Sequence, residues 1–164
     1  MTRFAEVRPG LHAGGQPTAA DLARMQAQGV HTVIDLRGEN EDRGYDEAAE
    51  ARRLGLAYVA LPVTGADGIT AANAEALQAL LDAHRNGVLL HCASGNRAGA
   101  LLALGHANAG MPRDQALALG RAAGLKSLEP AVIERMQAPA PAVDAERCGK
   151  DAGGTSGSRS GKAC

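Results

Sequence analysis

Apolar residues along this chain come in short unbroken runs, separated by stretches that carry apolar residues on one side only. Residues 30–36, with Val30, Val33, Ile34 and Leu36, residues 56–63 and residues 88–90 are short segments rich in apolar side chains, as expected of strands covered on both faces. Between the runs the period lengthens to that of helices. Leu22 and Met25 mark one face of a helix that opens at Thr18, with Asp21 three residues on as in a capping box, and closes at Gly29. A second helix is predicted over residues 45–54, stopped by Gly55. Thr70 caps a third that runs to about residue 85, with Leu77, Leu80, Leu81 and His84 at i, i+3, i+4 and i+7. Residues 98–108 are apolar nearly all round, which predicts a buried helix. Pro112 sits in the first turn of the next helix, and Ser127 caps a last one with Leu128, Val132, Ile133 and Met136 inside. Residues 4–14 read as an irregular or edge-strand segment, and residues 14–17 as a plain turn.

Strands alternating with helices predict an α/β fold: a mostly parallel central sheet of about four strands flanked by helices. In a parallel sheet every strand-to-helix loop leaves by the carboxyl edge. The loops at 37–44, 65–69 and 92–97 should therefore converge on one cleft.

Composition narrows the class. The chain has 164 residues, enough for one domain, and 45% of them are hydrophobic. Aromatics are only 2%, so Ala, Leu and Val must fill the core. From residue 139 the chain turns to Pro, Ala, Gly and Ser, which cannot bury a core. The expected organisation is a domain over 1–138 and a disordered tail over 139–164. A net charge of −1 gives no field that would gather nucleic acid or an anionic membrane. No apolar run is long enough to span a bilayer, and the first nine residues lack a signal-peptide core, so the reading is cytoplasmic. Of three cysteines, Cys148 and Cys164 sit in the tail, and Cys92 stands alone in the domain. That is a single thiol and not a disulfide framework. No Cys/His cluster has zinc spacing, and no metal or organic cofactor is expected.

The candidate chemistry lies at residues 88–99. An apolar run leads into His91 and Cys92, a short polar loop ends at Arg97, and a helix-forming run follows. Strand, tight loop and helix in that order make an anion site, with loop N–H groups pointing inward and the positive helix end behind them. In such a place the thiolate is the stabilised form of cysteine. Arg97 offers a planar fork of donors that suits a phosphate-like group. A cation in the first turn of a helix is otherwise poorly placed, which itself implies an anionic partner.

The loop His91-Cys92-Ala93-Ser94-Gly95-Asn96-Arg97 resembles the signature loop of the cysteine-dependent (dual-specificity/tyrosine) phosphatase superfamily. Over about residues 10–136 the chain is most similar to the phosphatase-like domain of beta-lactamase-hydrolase-like proteins, which also carry a short Cys-x-Ser/Thr-Gly-x-Arg loop. The resemblance implies that Cys92 attacks phosphorus and that Arg97 binds the phosphoryl oxygens. Two departures stand out. The common loop has five residues between Cys and Arg where this one has four. The Ser or Thr that commonly follows the arginine is Ala98 here.

Read residue by residue, the catalytic candidates are Cys92, Arg97 and Asp67. The phosphate-binding candidates are Ala93, Ser94, Gly95, Asn96 and Arg97, with Gly95 supplying a positive φ that curls the loop inward. His91 supports the loop through a backbone hydrogen bond or is simply a satisfied core histidine. Asp67 lies on the correct loop for a general acid, 25 positions before Cys92, and Glu39, Glu41 and Asp42 compete for that role. The expected activity is hydrolysis of a phosphomonoester, protein phosphotyrosine or phosphoserine or a small molecule, through a phosphocysteine. Two other readings stay open: rhodanese-like sulfur transfer through a Cys92 persulfide, which the short loop would suit, and an anion-binding module without turnover.

Overall fold

The computed structural model describes residues 4–137; the tail assigned to 139–164, with Cys148 and Cys164, lies outside the described residues. Five strands, β1 (Ala5–Arg8), β2 (Leu11–Gly14), β3 (Thr32–Asp35), β4 (Ala57–Ala60) and β5 (Val88–His91), form one sheet in the order β1-β2-β5-β3-β4. All neighbours are parallel except β1 and β2. Six helices cover it: α1 (Ala19–Ala27), α2 (Glu47–Arg53), α3 (Ala71–Ala83), α4 (Asn96–Asn108), α5 (Arg113–Ala123) and α6 (Glu129–Gln137). This is the mostly parallel α/β architecture that the sequence pattern predicts, with one strand more.

The extra strand comes from residues 4–14, which form a hairpin. Its second arm, β2, runs parallel beside β5, with Leu11 opposite Val88 and Gly14 opposite His91. The pattern hides β2 because Leu-His-Ala-Gly carries one large apolar side chain. Its buried backbone pairing is satisfied from both sides, which is what fixes it in the sheet.

Strand alternation sorts the core into two layers. Val88, Leu90 and Ile34 face the α3–α6 side with the buried run of α4, whereas Leu89 and Val33 face Leu22 and Met25 of α1 and Ala51 of α2. Asp35 and His91 lie two positions beyond Val33 and Leu89, so both belong to the α1–α2 face at the carboxyl edge. The caps predicted at Thr18 and Thr70 hold. Thr18 and Asp21 form a full capping box on α1, and the Thr70 hydroxyl accepts from Asn73 N–H at 3.1 Å. None of the described helices is long and apolar enough to cross a membrane.

Candidate active site

Cys92 follows the last residue of β5, is fully buried, and opens the loop that ends in α4. Its Sγ accepts a hydrogen bond from Gly95 N–H at 3.1 Å. That bond requires the loop to curl back on itself, and Gly95 makes the turn at φ +95°. A Cβ at Gly95 would stand 2.8 Å from Ala123 O, so the position excludes side chains on both grounds. Ala93 and Ser94 are exposed on the outer rim of the loop. Asn96 does something else with its side chain. Its Oδ1 accepts from Lys126 N–H (2.8 Å) and Leu128 N–H (3.2 Å), and its Nδ2 donates to Ser127 Oγ (2.6 Å). The amide thus ties the start of α4 to the segment before α6, and occupies the Ser127 hydroxyl that the sequence assigns to capping.

The turn at 14–17 proves to be the floor of this loop. Gln16 N–H donates to Ala93 O at 3.0 Å, Cys92 N–H donates to Gly14 O at 3.3 Å, and Gly15 bridges Ser94. A Cβ on Gly15 would meet Ala93 O at 2.8 Å. The plain-turn reading misses this because the partner loop lies almost eighty residues away in sequence.

Arg97 stands in the first turn of α4, where an anionic partner is expected, and it has one. Nη1 and Nη2 grip the Glu41 carboxylate at 2.6 and 2.9 Å, and Nη1 also donates to Val63 O at 2.9 Å. A guanidinium has five N–H donors. These contacts use three, which leaves the Nε–H and one Nη2–H on a single edge. That edge matches two oxygens of a tetrahedral anion. The bond to Glu41 raises the Arg97 pKa against the opposing effect of burial, with a further contribution from Cys92. The contacts also show that the loops after β3 and β4 converge on the Cys92 loop, as the parallel topology demands.

Glu41 itself is held well down, to about 2, chiefly by the Arg97 hydrogen bond and against some desolvation. A carboxylate ionised that firmly has no proton to give at neutral pH, so Glu41 is an arginine partner and not an acid. The sign of its linkage follows. Its pKa falls from an ordinary 4.5 to about 2 on folding, so its contribution is complete above pH 4.5 and is lost as pH falls towards 2. In urea unfolding, the wild type should exceed Glu41→Gln in stability at neutral pH, and the gap should close across that window.

The loop that presents Glu41 is wound around Arg43. Its Nε donates to Asp35 Oδ2 at 2.7 Å, and its Nη groups reach Glu41 O (3.1 Å), Gly38 O (3.3 Å) and Arg37 O (3.4 Å). Asp35 also accepts from Tyr58 OH at 2.6 Å and Arg37 N–H at 2.9 Å. Burial pushes the Asp35 pKa up, but His91 and these donors outweigh it and hold the group low. Glu39 and Asp42 are exposed on the same loop, with Asp42 accepting from Gly44 N–H.

Asp67 lies exposed on a single 3-10 turn, Gly65–Gly68, two residues beyond Val63. The turn is pinned at its far end, where Asn73 Nδ2 donates to Gly68 O (2.8 Å) and Arg135 Nε donates to Ile69 O (3.0 Å). His91 is fully buried, and its Nδ1–H donates to Cys92 O at 3.1 Å. Asp35, Glu47 and His91 bring potential ligand atoms within 4.8 Å of one another. Tyr58, Arg43 and the Arg37 N–H all donate to Asp35, while Glu47 pairs with His91. Sequence reasoning does not single out Asp35, Arg43, Glu47 or Tyr58. The one visible signal is an acid, Asp35, at the end of an apolar strand.

A parallel sheet that delivers a buried cysteine, an inward-curled loop and a paired arginine to one edge defines a cysteine-phosphatase-like domain. Residues 5–130 match the family of DSP-PTPase phosphatases fused to NAD+ kinase, and the chain belongs to that family. A beta-lactamase hydrolase-like protein of Xylella fastidiosa (strain 9a5c) is 39% identical over 127 residues, covering 74% of this chain and 29% of that protein. The chain thus spans about three-tenths of the length of that curated relative. Among solved structures, a candidate phosphatase from Neisseria meningitidis is 26% identical with a TM-score of 0.69, covering 81% of this chain and 95% of that one. The P. aeruginosa protein TpbA, solved in complex with pTyr, shares the fold at 21% identity and a TM-score of 0.65, covering 82% of each chain.

Proposed function

We propose that this domain hydrolyses phosphomonoesters through a phosphocysteine. The observation that carries the reading is the Cys92 sulfur under the Gly95 N–H, beside an Arg97 whose Nε/Nη2 edge is left open by its grip on Glu41. Sγ attacks phosphorus, the bond to the leaving oxygen breaks, and the loop N–H groups of residues 93–97 with Arg97 hold the three phosphoryl oxygens. Asp67 protonates the leaving alcohol or phenol, and water then releases inorganic phosphate from Cys92. These steps call on no metal or organic cofactor. A structural neighbour that holds phosphotyrosine makes phosphotyrosine the first protein-type substrate to try beside small phosphomonoesters.

Release of inorganic phosphate from an aryl phosphate, with acid-trapped phosphate located on Cys92 by mass spectrometry, tests the reading. Cyanide-dependent thiocyanate formation from thiosulfate, with no phosphate release, would replace it by sulfur transfer. Phosphate binding with neither turnover would leave a binding module. The acid is tested separately. Asp67→Asn should lower kcat by about 10²-fold or more on an alkyl phosphate, whose leaving group needs a proton, and far less on a nitrophenyl phosphate. Equal losses on both would remove Asp67 from that role.

A further inference from the structure

We infer that Glu47 is a positioning residue for the nucleophile, acting through His91 on the carbonyl of Cys92; the inference rests on the reading of Cys92 as nucleophile. Glu47 is the first residue of α2, an element with no part in the cysteine loop. It is only 1% exposed, and its Oε2 lies 2.5 Å from His91 Nε2. Its other oxygen, Oε1, is buried with no hydrogen-bond partner. A carboxylate taken out of water is costly unless its bonds compensate, and this one is committed to a single ring. A helix N-terminus favours an acid, but a solvated one would serve that purpose as well.

The ring explains the commitment. A carbonyl oxygen can only accept, so the contact between Nδ1 and Cys92 O requires the proton on Nδ1. A neutral imidazole carries one proton and can place it on either nitrogen. The other tautomer would point a lone pair at the Cys92 carbonyl and release it. Glu47 Oε2 holds the opposite edge of the ring, so the ring keeps the orientation in which Nδ1 faces that carbonyl. The Cys92 peptide is therefore gripped from both sides: its N–H by Gly14 O and its carbonyl by His91. That grip sets the direction in which Sγ and the next four N–H groups face.

The experiment compares Glu47→Gln and Glu47→Leu, with Glu50→Gln as a control of equal charge change at a half-buried position of α2 that is paired with Arg53 and makes no contact with His91. Three quantities are read on folded protein at one neutral pH: the alkylation rate of Cys92 by iodoacetamide, its protection by inorganic phosphate, and the ring nitrogen resonances of His91. Glu47→Leu should slow alkylation and weaken phosphate protection by about tenfold or more, the scale on which loss of a histidine's orienting partner acts. In Glu47→Gln the amide can donate to Nε2 and so preserve the Nδ1–H, and most of both should remain. The His91 ring should keep one orientation, with Nδ1 bonded to the Cys92 carbonyl, in the wild type and Glu47→Gln, and lose it in Glu47→Leu, read as split or broadened ring nitrogen resonances. A folded Glu47→Leu with unchanged alkylation and protection would overturn the inference, as would equal losses in the Gln and Leu variants. If Glu47→Leu does not fold, Glu47→Gln still decides: an Nδ1 without its proton there, with alkylation unchanged, overturns it. A wild type that alkylates and binds phosphate but releases none from any ester would sink the proposed hydrolysis and leave this inference standing.

Discussion

Cys92→Ser should reduce phosphate release to the uncatalysed background, a loss of about 10⁴-fold or more, equivalent to about 5 kcal/mol of barrier. The serine hydroxyl would occupy the same buried place at the end of β5 and could still accept from Gly95 N–H. It would remain a hydroxyl, since the adjacent histidine is not placed as its base: His91 is turned towards Glu47 and towards the Cys92 carbonyl. Binding should survive, because Arg97 and the loop N–H groups are untouched. Steady-state hydrolysis of an aryl phosphate, with titration calorimetry of inorganic phosphate on the same sample, separates the two. Turnover that persists in the serine variant would remove Cys92 from the role of nucleophile.

Arg97→Lys should lower kcat by about 10²- to 10³-fold, some 3–4 kcal/mol, with a smaller change in KM. Lysine keeps the charge but not the geometry. Arg97 uses one end of its guanidinium to hold Glu41 and Val63 O, and the free edge is positioned by that grip. An ammonium offers one point of charge, which must choose between the Glu41 carboxylate and the substrate. Glu41 is ionised and would win that competition in the ground state, so the loss falls on the transition state, where negative charge spreads over the phosphoryl oxygens. Kinetics over a range of substrate concentration reads the split directly. A lysine variant with full kcat would mean that the fork is not used.

The two expectations share a cause. The nucleophile and the anion clamp are neighbours in sequence, but both are held by segments that are not. The loop at 37–44, folded around Arg43 on Asp35, supplies Glu41. The turn at 14–17 supports the loop backbone from beneath. Activity should therefore respond to changes in β3, β4 and α2 that touch neither Cys92 nor Arg97.

Local chemistry is what the amino-acid sequence determined by itself. Apolar runs and helical periods predict the α/β order, because burial on two faces or one leaves a mark on each stretch separately. Thr18, Asp21 and Thr70 announce helix starts, since a cap is satisfied within three residues. Cys92, Gly95 and Arg97 are visible for the same reason: a curled loop between strand and helix is built from its own backbone. Tertiary structure alone decided the partnerships. Glu41 lies 56 residues from Arg97, and Glu47 lies 44 from His91. Those pairs exist because β3 sits beside β5 and the strands alternate their side chains, and no period or propensity encodes which strand is the neighbour. The same holds for β2, too poor in apolar side chains to be read as a strand until β5 pairs with it. It also holds for Asn96, which reads as a phosphate-loop residue yet spends its amide on the segment before α6, a contact set by how α4, α5 and α6 pack.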